Sequence, residues 1–380
     1  MQRHPILFFS FLILFFGILL TSSCTLFNRK KKADSDYTFY LGSYTEGQSE
    51  GIYRYTLQIN GEIKKSGLAA KAKDPSFLAW SADKKVLLAV DESGDSAGMG
   101  TIASYQIKEN KLKPLSSKPS GGLAPCFVAV NKEGWVLTAN YIGGNVGLLK
   151  LDKKGRLSDL LDIEQHEGAG TTERQEAPHA HSAWFEPDAS GIIAADLGTN
   201  ELWFSKIDAV KQKLLPRSPQ KMAMAPGDGP RHLAFHPNNK WIYVLNELNN
   251  TITFIEKGTS GKYLKGSSIS TLPNDFEAFS KSAHIAISSD GRFVYASNRG
   301  HNSIVIFGID SDSGQLKILG FESTHGNEPR HFALSPDDEF LIVANQNTNN
   351  VVSFKRDKAT GLLTFVAEAE APAPVCVLFE

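Results

Sequence analysis

Four histidines, three arginines and one glutamate recur at matching points of a repeated pattern, and together they suit proton transfer beside an anionic centre. Aligned on the apolar tails of a short motif, His181, His232, His284 and His331 share its third position, where other copies carry Phe77, Phe127 and Cys376. Arg231 and Arg330 stand directly before two of these histidines. Glu247 and Arg299 end a second recurring segment, as does Asp196. A guanidinium is planar, always charged and rich in donors, so it fits carboxylate, phosphate or oxyanion oxygens. Glu247 and a nearby histidine could serve as general base or acid. Two plainer readings stand beside these: a histidine near a strand end can simply hydrogen-bond neighbouring backbone, and an arginine can simply pair with Glu247 or Asp196. His179 and His181 would face the same side of a strand. The clustered histidines come from separate repeats without short metal-ligand spacing, so neither a metal nor a cofactor is expected.

The motif returns seven times, from Pro75-Ser-Phe-Leu-Ala-Trp80 to Pro374-Val-Cys-Val-Leu-Phe379, at steps of 45 to 54 residues. Short apolar strands alternate with Gly, Asn and Asp turns, which is the signature of a four-stranded propeller blade. The expected fold is therefore all-β, a seven-bladed β-propeller. The last motif copy has no strands after it, while strands near Tyr37–Leu41 and Gly51–Leu57 have no motif before them. The C-terminal strand should pair with these N-terminal strands and close the ring, which removes an open sheet edge.

A second strand follows each motif, ending as Ala89-Val-Asp-Glu92, Ala194-Ala-Asp-Leu197, Val244-Leu-Asn-Glu247 and similar segments. Antiparallel pairing puts the start of the first strand and the end of the second on one face, so both polar sets should meet at one mouth of the central channel. Long inserts are expected at 164–177, 211–228 and 270–280, with Asp228 and Glu328 as surface acids before motif copies.

Forty basic and 41 acidic residues leave a net charge of −1, which excludes the electrostatic footprint of a nucleic-acid binder. Cys126 and Cys376 differ in register and should remain free. At the N-terminus, Arg3 and His4 precede an apolar run from Ile6 to Leu20 and the segment Leu20-Thr-Ser-Ser-Cys24, which reads as an export signal. The Leu20–Cys24 segment resembles the bacterial lipoprotein signal, which implies a signal over 1–23, a lipidated Cys24 and polar tether over 24–36, and the propeller over 37–380. Such a chain would be exported and anchored to a bacterial cell envelope through lipid alone.

The segments Tyr40-Leu-Gly-Ser-Tyr-Thr45, Thr138-Ala-Asn-Tyr-Ile-Gly-Gly144, Arg174-Gln-Glu-Ala-Pro-His-Ala-His181, Gly227-Asp-Gly-Pro-Arg-His232, Tyr243-Val-Leu-Asn-Glu247, Ala296-Ser-Asn-Arg299 and Glu328-Pro-Arg-His331 occur in this order. In that order they resemble the seven-bladed propeller lactonase family, which includes the 6-phosphogluconolactonase type and the carboxymuconate-lactonizing cycloisomerase. The resemblance spans about residue 37 to the end and departs at Phe127, where relatives typically carry histidine. It implies a small-molecule lactone substrate, with Glu247 or His181 as base and Arg231 and Arg299 as oxyanion donors. His232, His284, Arg330, His331, Asp196 and His179 would bind substrate around them. Three functional readings follow: an exported lactonase for a sugar-derived or carboxylated lactone, a lactone-forming isomerase, and a non-catalytic binding propeller. A closed ring needs no partner subunit, so a monomer is expected.

Overall fold

Alternating apolar strands and tight turns build seven four-stranded antiparallel sheets arranged as a β-propeller. The computed structural model describes residues 1–2, 36–94, 98–259 and 261–380. The expected signal, Cys24 and nearly all of the tether lie outside the described residues. Numbered from the first motif copy, the innermost strands are Leu78–Trp80, Pro125–Val130, Ala180–Phe185, Pro230–Phe235, Lys281–Ile287, Pro329–Leu334 and Pro374–Phe379. Blade seven is composite. Its innermost strand Pro374–Phe379 pairs antiparallel with Tyr37–Ser43, which continues into Gly51–Leu57 and Ile63–Lys71.

Second strands such as Trp135–Asn140 and Phe340–Asn345 are buried throughout because each blade is packed on both faces by its neighbours. One core cluster joins Phe127, Leu137 and Ala139 of blade two to Ala183, Ile192 and Ala194 of blade three. Each large apolar side chain buried this way contributes about 1.5–3 kcal/mol. Outer strands face water on one side and alternate accordingly, as in Leu363–Glu370. The turns between second and third strands place Asn200, Asn250, Asn302 and Asn349 at φ 54–59°, the left-handed region that asparagine tolerates.

The expected insert at 211–228 is mostly strand: Lys213–Ala223 is the outer edge of blade three. Likewise Asp162–Gln165 is the outer strand of blade two, at the start of the expected insert at 164–177. Asp228 is not a surface acid. It is buried, accepts the Ala225 amide, and is bonded by Asn249.

Six innermost strands carry one extra residue against their partner strand. In blade four Pro230 pairs with Asn246 and His232 with Leu245, so Arg231 is the bulged residue. Cys126, His181, Arg330 and Val375 hold the same place in blades two, three, six and seven. A bulge re-aims its side chain, and here all of these five line one cavity on the channel axis.

Candidate active site

The bulges correct the motif alignment. His181 matches Arg231 and Arg330 rather than His232, and the blade-three counterpart of His232 is Ser182. Three histidines, not four, therefore share the third position. With Phe77 and Phe127 they pack as a plug of rings, and Cys376 holds the same position in blade seven. His284 stacks on His331 at 3.8 Å between centroids, and His232 meets Phe77, Phe127 and His284 edge to face at 5.2–5.9 Å. Ser182 donates to the Arg231 carbonyl at 2.7 Å and fixes the bulge next door.

Above the plug, the bulged side chains form the wall of a cavity of about 10 Å³, room for about one water. His181, Arg231, Arg330 and Cys126 line it, together with Glu92 from the end of a second strand. Glu247 is the electrostatic centre. Its Oε2 accepts Arg231 Nε at 3.0 Å and Arg299 Nη2 at 2.9 Å, while Oε1 faces Arg174 Nη2 at 3.4 Å. Burial alone would raise the Glu247 carboxyl, but Arg299 and Arg231 outweigh it and hold Glu247 well below the usual carboxylate range. Burial, then Arg299, pushes Arg231 down to about 9. Both arginines are further fixed by backbone: Arg231 donates to the Ala283 carbonyl and Arg299 to the Ser282 carbonyl. Arg299 Nε is buried without a partner among the described residues, an unsatisfied donor at the mouth.

The histidines are neutral. Burial and the Arg231 charge depress His181 well below its ordinary value, and the same causes act on His232. Burial is the first cause at His284 and at His331, which is pushed down to about 3. Arg231 can only donate, so His232 Nε2 accepts at 3.3 Å and Nδ1 then donates to His284 Nδ1 at 2.9 Å. His181 Nδ1 lies 3.7 Å from the Cys126 sulfur, which leaves Nε2 for a ligand. Burial raises the Cys126 thiol, keeping it protonated.

Three residues expected to bind substrate do not line the cavity. Asp196 matches Asn246 and Asn298, one residue before the ring that holds Glu247 and Arg299, so its side chain turns away from the mouth. Its carboxylate accepts the His179 and Thr199 amides at 2.8 Å and pairs with His166 at 2.6 Å. His179 sits at the rim, stacked on Tyr141 and bonded to the Tyr141 carbonyl at 3.0 Å. His284 belongs to the plug and does not line the cavity.

The motif reading passed over Glu92, Tyr44, Cys126 and Arg174. Glu92 and Tyr44 occupy the same ring position as Glu247, and the Tyr44 hydroxyl donates to the Glu92 carboxylate at 3.1 Å. Position in the repeat was the available signal. Arg174 is carried by the short 3-10 turn Glu173–Gln175, which buried Gln175 anchors through the Leu197 carbonyl at 2.8 Å. A larger cleft of about 550 Å³, lined by Trp135, Glu186 and Lys206, includes none of the site residues expected from the sequence.

A family model described as a lactonase, 7-bladed beta-propeller, matches residues 38–379. A 6-phosphogluconolactonase of Bacillus subtilis is 39% identical over 349 residues, covering 90% of this chain and 98% of that protein. A 6-phosphogluconolactonase of Formosa agariphila is 33% identical over 306 residues, covering 77% and 84%. Among solved structures, a periplasmic gluconolactonase of Pseudomonas aeruginosa superposes with a TM-score of 0.86 at 29% identity, covering 91% of this chain and 99% of that one.

Proposed function

The chain belongs to the seven-bladed β-propeller lactonase family, and from that premise we propose that it is an exported hydrolase opening a small sugar-derived lactone. One observation carries the reading: His181, Arg231, Arg299 and Arg330 converge around Glu247 and a water-sized cavity at the channel mouth. Water attacks the lactone carbonyl carbon, its proton passes to a base, and negative charge builds on the carbonyl oxygen. The ring C–O bond then breaks, and the departing oxygen takes a proton to give the hydroxy acid.

Glu247 is committed to two guanidiniums and held far below neutrality, so it is a poor proton acceptor. Its role is to hold Arg231 and Arg299 in place. His181, neutral and lining the cavity, with Nδ1 rather than Nε2 against Cys126, is the better-placed base, and Arg231 and Arg330 beside it, with Arg299 on Glu247, supply oxyanion donors. Export rests on the apolar run from Ile6 to Leu20 and on Cys24.

Initial rates over a panel of phosphorylated, carboxylated and neutral aldonolactones test the activity. Glu247→Gln is expected to lower turnover by at least about a hundredfold, as removal of one oxyanion-hole donor does. Near-normal turnover in a folded Glu247→Gln protein removes that role. Loss of membrane association and of lipid labelling in Cys24→Ala would support the anchor; unchanged fractionation would exclude it.

A further inference from the structure

Outside the water-sized cavity, the mouth opens into a groove of about 530 Å³ lined by Tyr44, Glu46, Glu92, Gln346, Asn347 and Asn349. Glu92 belongs to both spaces, so the groove is the outward continuation of the catalytic cavity. No lysine or arginine lines it. Arg330 stands beside it: its guanidinium lies 5.3 Å from the Tyr44 ring centroid and lines the inner cavity. The Arg330 side chain makes no hydrogen bond or ion pair among the described residues, unlike those of Arg231 and Arg299, which share Glu247.

A cavity with room for one water admits a carbonyl oxygen but not a phosphate. A lactone whose carbonyl points at Arg330 and His181 must therefore keep its ring and distal substituents in the groove. There the side-chain amides of Gln346 and Asn347 have no partner among the described residues, and the side-chain Oδ1 of Asn349 accepts the Ala373 amide at 2.8 Å. Free amides and carboxylates are the donors and acceptors that recognise hydroxyl groups. Glu46 and Glu92 set two carboxylates along the groove against the single guanidinium of Arg330, a balance that disfavours a phosphate dianion.

Building on the lactonase reading, we infer that this groove is the substrate's polyol subsite and that it selects an unphosphorylated aldonolactone over its 6-phosphate. Glu46 and Glu92 set this charge preference, and Gln346 and Asn347 read the hydroxyls.

The test compares kcat/KM of the full chain on glucono-1,5-lactone and on its 6-phosphate, with Glu46→Gln, Glu92→Gln and Asn347→Lys as variants. The neutral lactone should be preferred by roughly tenfold or more, as expected for like charges a few ångströms apart near a protein surface. Each variant should move the ratio toward the phosphorylated substrate, by roughly threefold for exposed Glu46 and more for Glu92 and Asn347→Lys. Preference for the 6-phosphate in the wild type, or a ratio unmoved by all three changes, overturns the subsite. Calorimetric binding of gluconate and 6-phosphogluconate, which share a carboxylate and differ only in the phosphate, reads the same selection without turnover. If neither lactone is hydrolysed, the lactonase reading falls. The binding preference of the two aldonates then still decides the groove: tighter gluconate supports it, and tighter 6-phosphogluconate refutes it.

Discussion

Glu247 and His181 sit in the same positive surroundings, which hold one as an anion and the other as a neutral base. Arg299 and Arg231 stabilise the anionic form of Glu247 against the cost of its burial, whereas burial first, then Arg231 and Arg330, stabilise the neutral form of His181. If His181 accepts the proton, His181→Gln should flatten the acid limb of the kcat/KM profile, while Glu247→Gln should lower the whole profile without flattening it. Stopped-flow hydrolysis from about pH 8 down to about pH 4, on the acid side of the ordinary histidine value where burial and Arg231 move His181, distinguishes the two. The plug histidines have a separate consequence for stability. His331 is pushed down to about 3 when folded, against about 6.5 in an unfolded chain, so below the unfolded value the unfolded state binds a proton that the folded state refuses. Stability is complete above that pH and falls as the pH drops toward the folded value, by up to about 1.4 kcal/mol per pH unit for this residue. Urea midpoints of the wild type should therefore fall between about pH 6.5 and 4, and His331→Gln should reduce that slope by about one proton. An unchanged slope would show that His331 is already charged in the folded protein.

At the scale of strands and turns, Gly198 fixes where the His179–His181 segment begins. A Cβ there would lie 1.8 Å from the Ala177 carbonyl oxygen and 2.7 Å from the His179 amide, both backbone atoms that cannot swing aside. Gly198→Ala should cost at least about 2 kcal/mol, measured as a lowered denaturation midpoint, and should impair turnover through displacement of His181. Normal turnover in a destabilised protein would uncouple that turn from the site. Much of this architecture was legible in the chain. The motif period announced seven blades, and the orphan strands at both ends announced the closure. The bulges were not legible, because an extra residue leaves the apolar tail of Ala180–Phe185 unchanged and no proline marks its start. His181 was consequently assigned one place too far along. Asp196 misled for a related reason: successive strand residues face opposite ways, and a one-residue shift separates a mouth carboxylate from a turn-capping one. Glu92 and Tyr44 share a ring position with Glu247, but that position also holds Leu197, Gln346 and Tyr141, so identity alone did not single them out. The outer strand Lys213–Ala223 hid behind its own polar, exposed face.

The whole ring depends on one seam. Trp80 Nε1 donates to the Phe379 carbonyl at 2.7 Å, the Leu78 amide to the Cys376 sulfur at 3.4 Å, and the Val377 amide to His331 at 3.3 Å. The strand Pro374–Phe379 thus touches blades one and six as well as its own sheet. Deleting residues 374–380 should abolish cooperative unfolding and expose the Tyr37–Ser43 edge, seen as rapid proteolysis; a cooperative transition in the truncated chain would show that six blades suffice. The seam also orders events during synthesis. Tyr37–Ser43 leaves the ribosome before the blade-one strands, yet its inner partner follows every other strand of the ring. Throughout translation one sheet stands with a bare hydrogen-bonding edge, available to any passing extended segment. The nascent chain therefore meets its greatest hazard of mispairing before the mouth exists, and a chaperone that covers β edges would matter more to the yield of this protein than one that covers apolar cores.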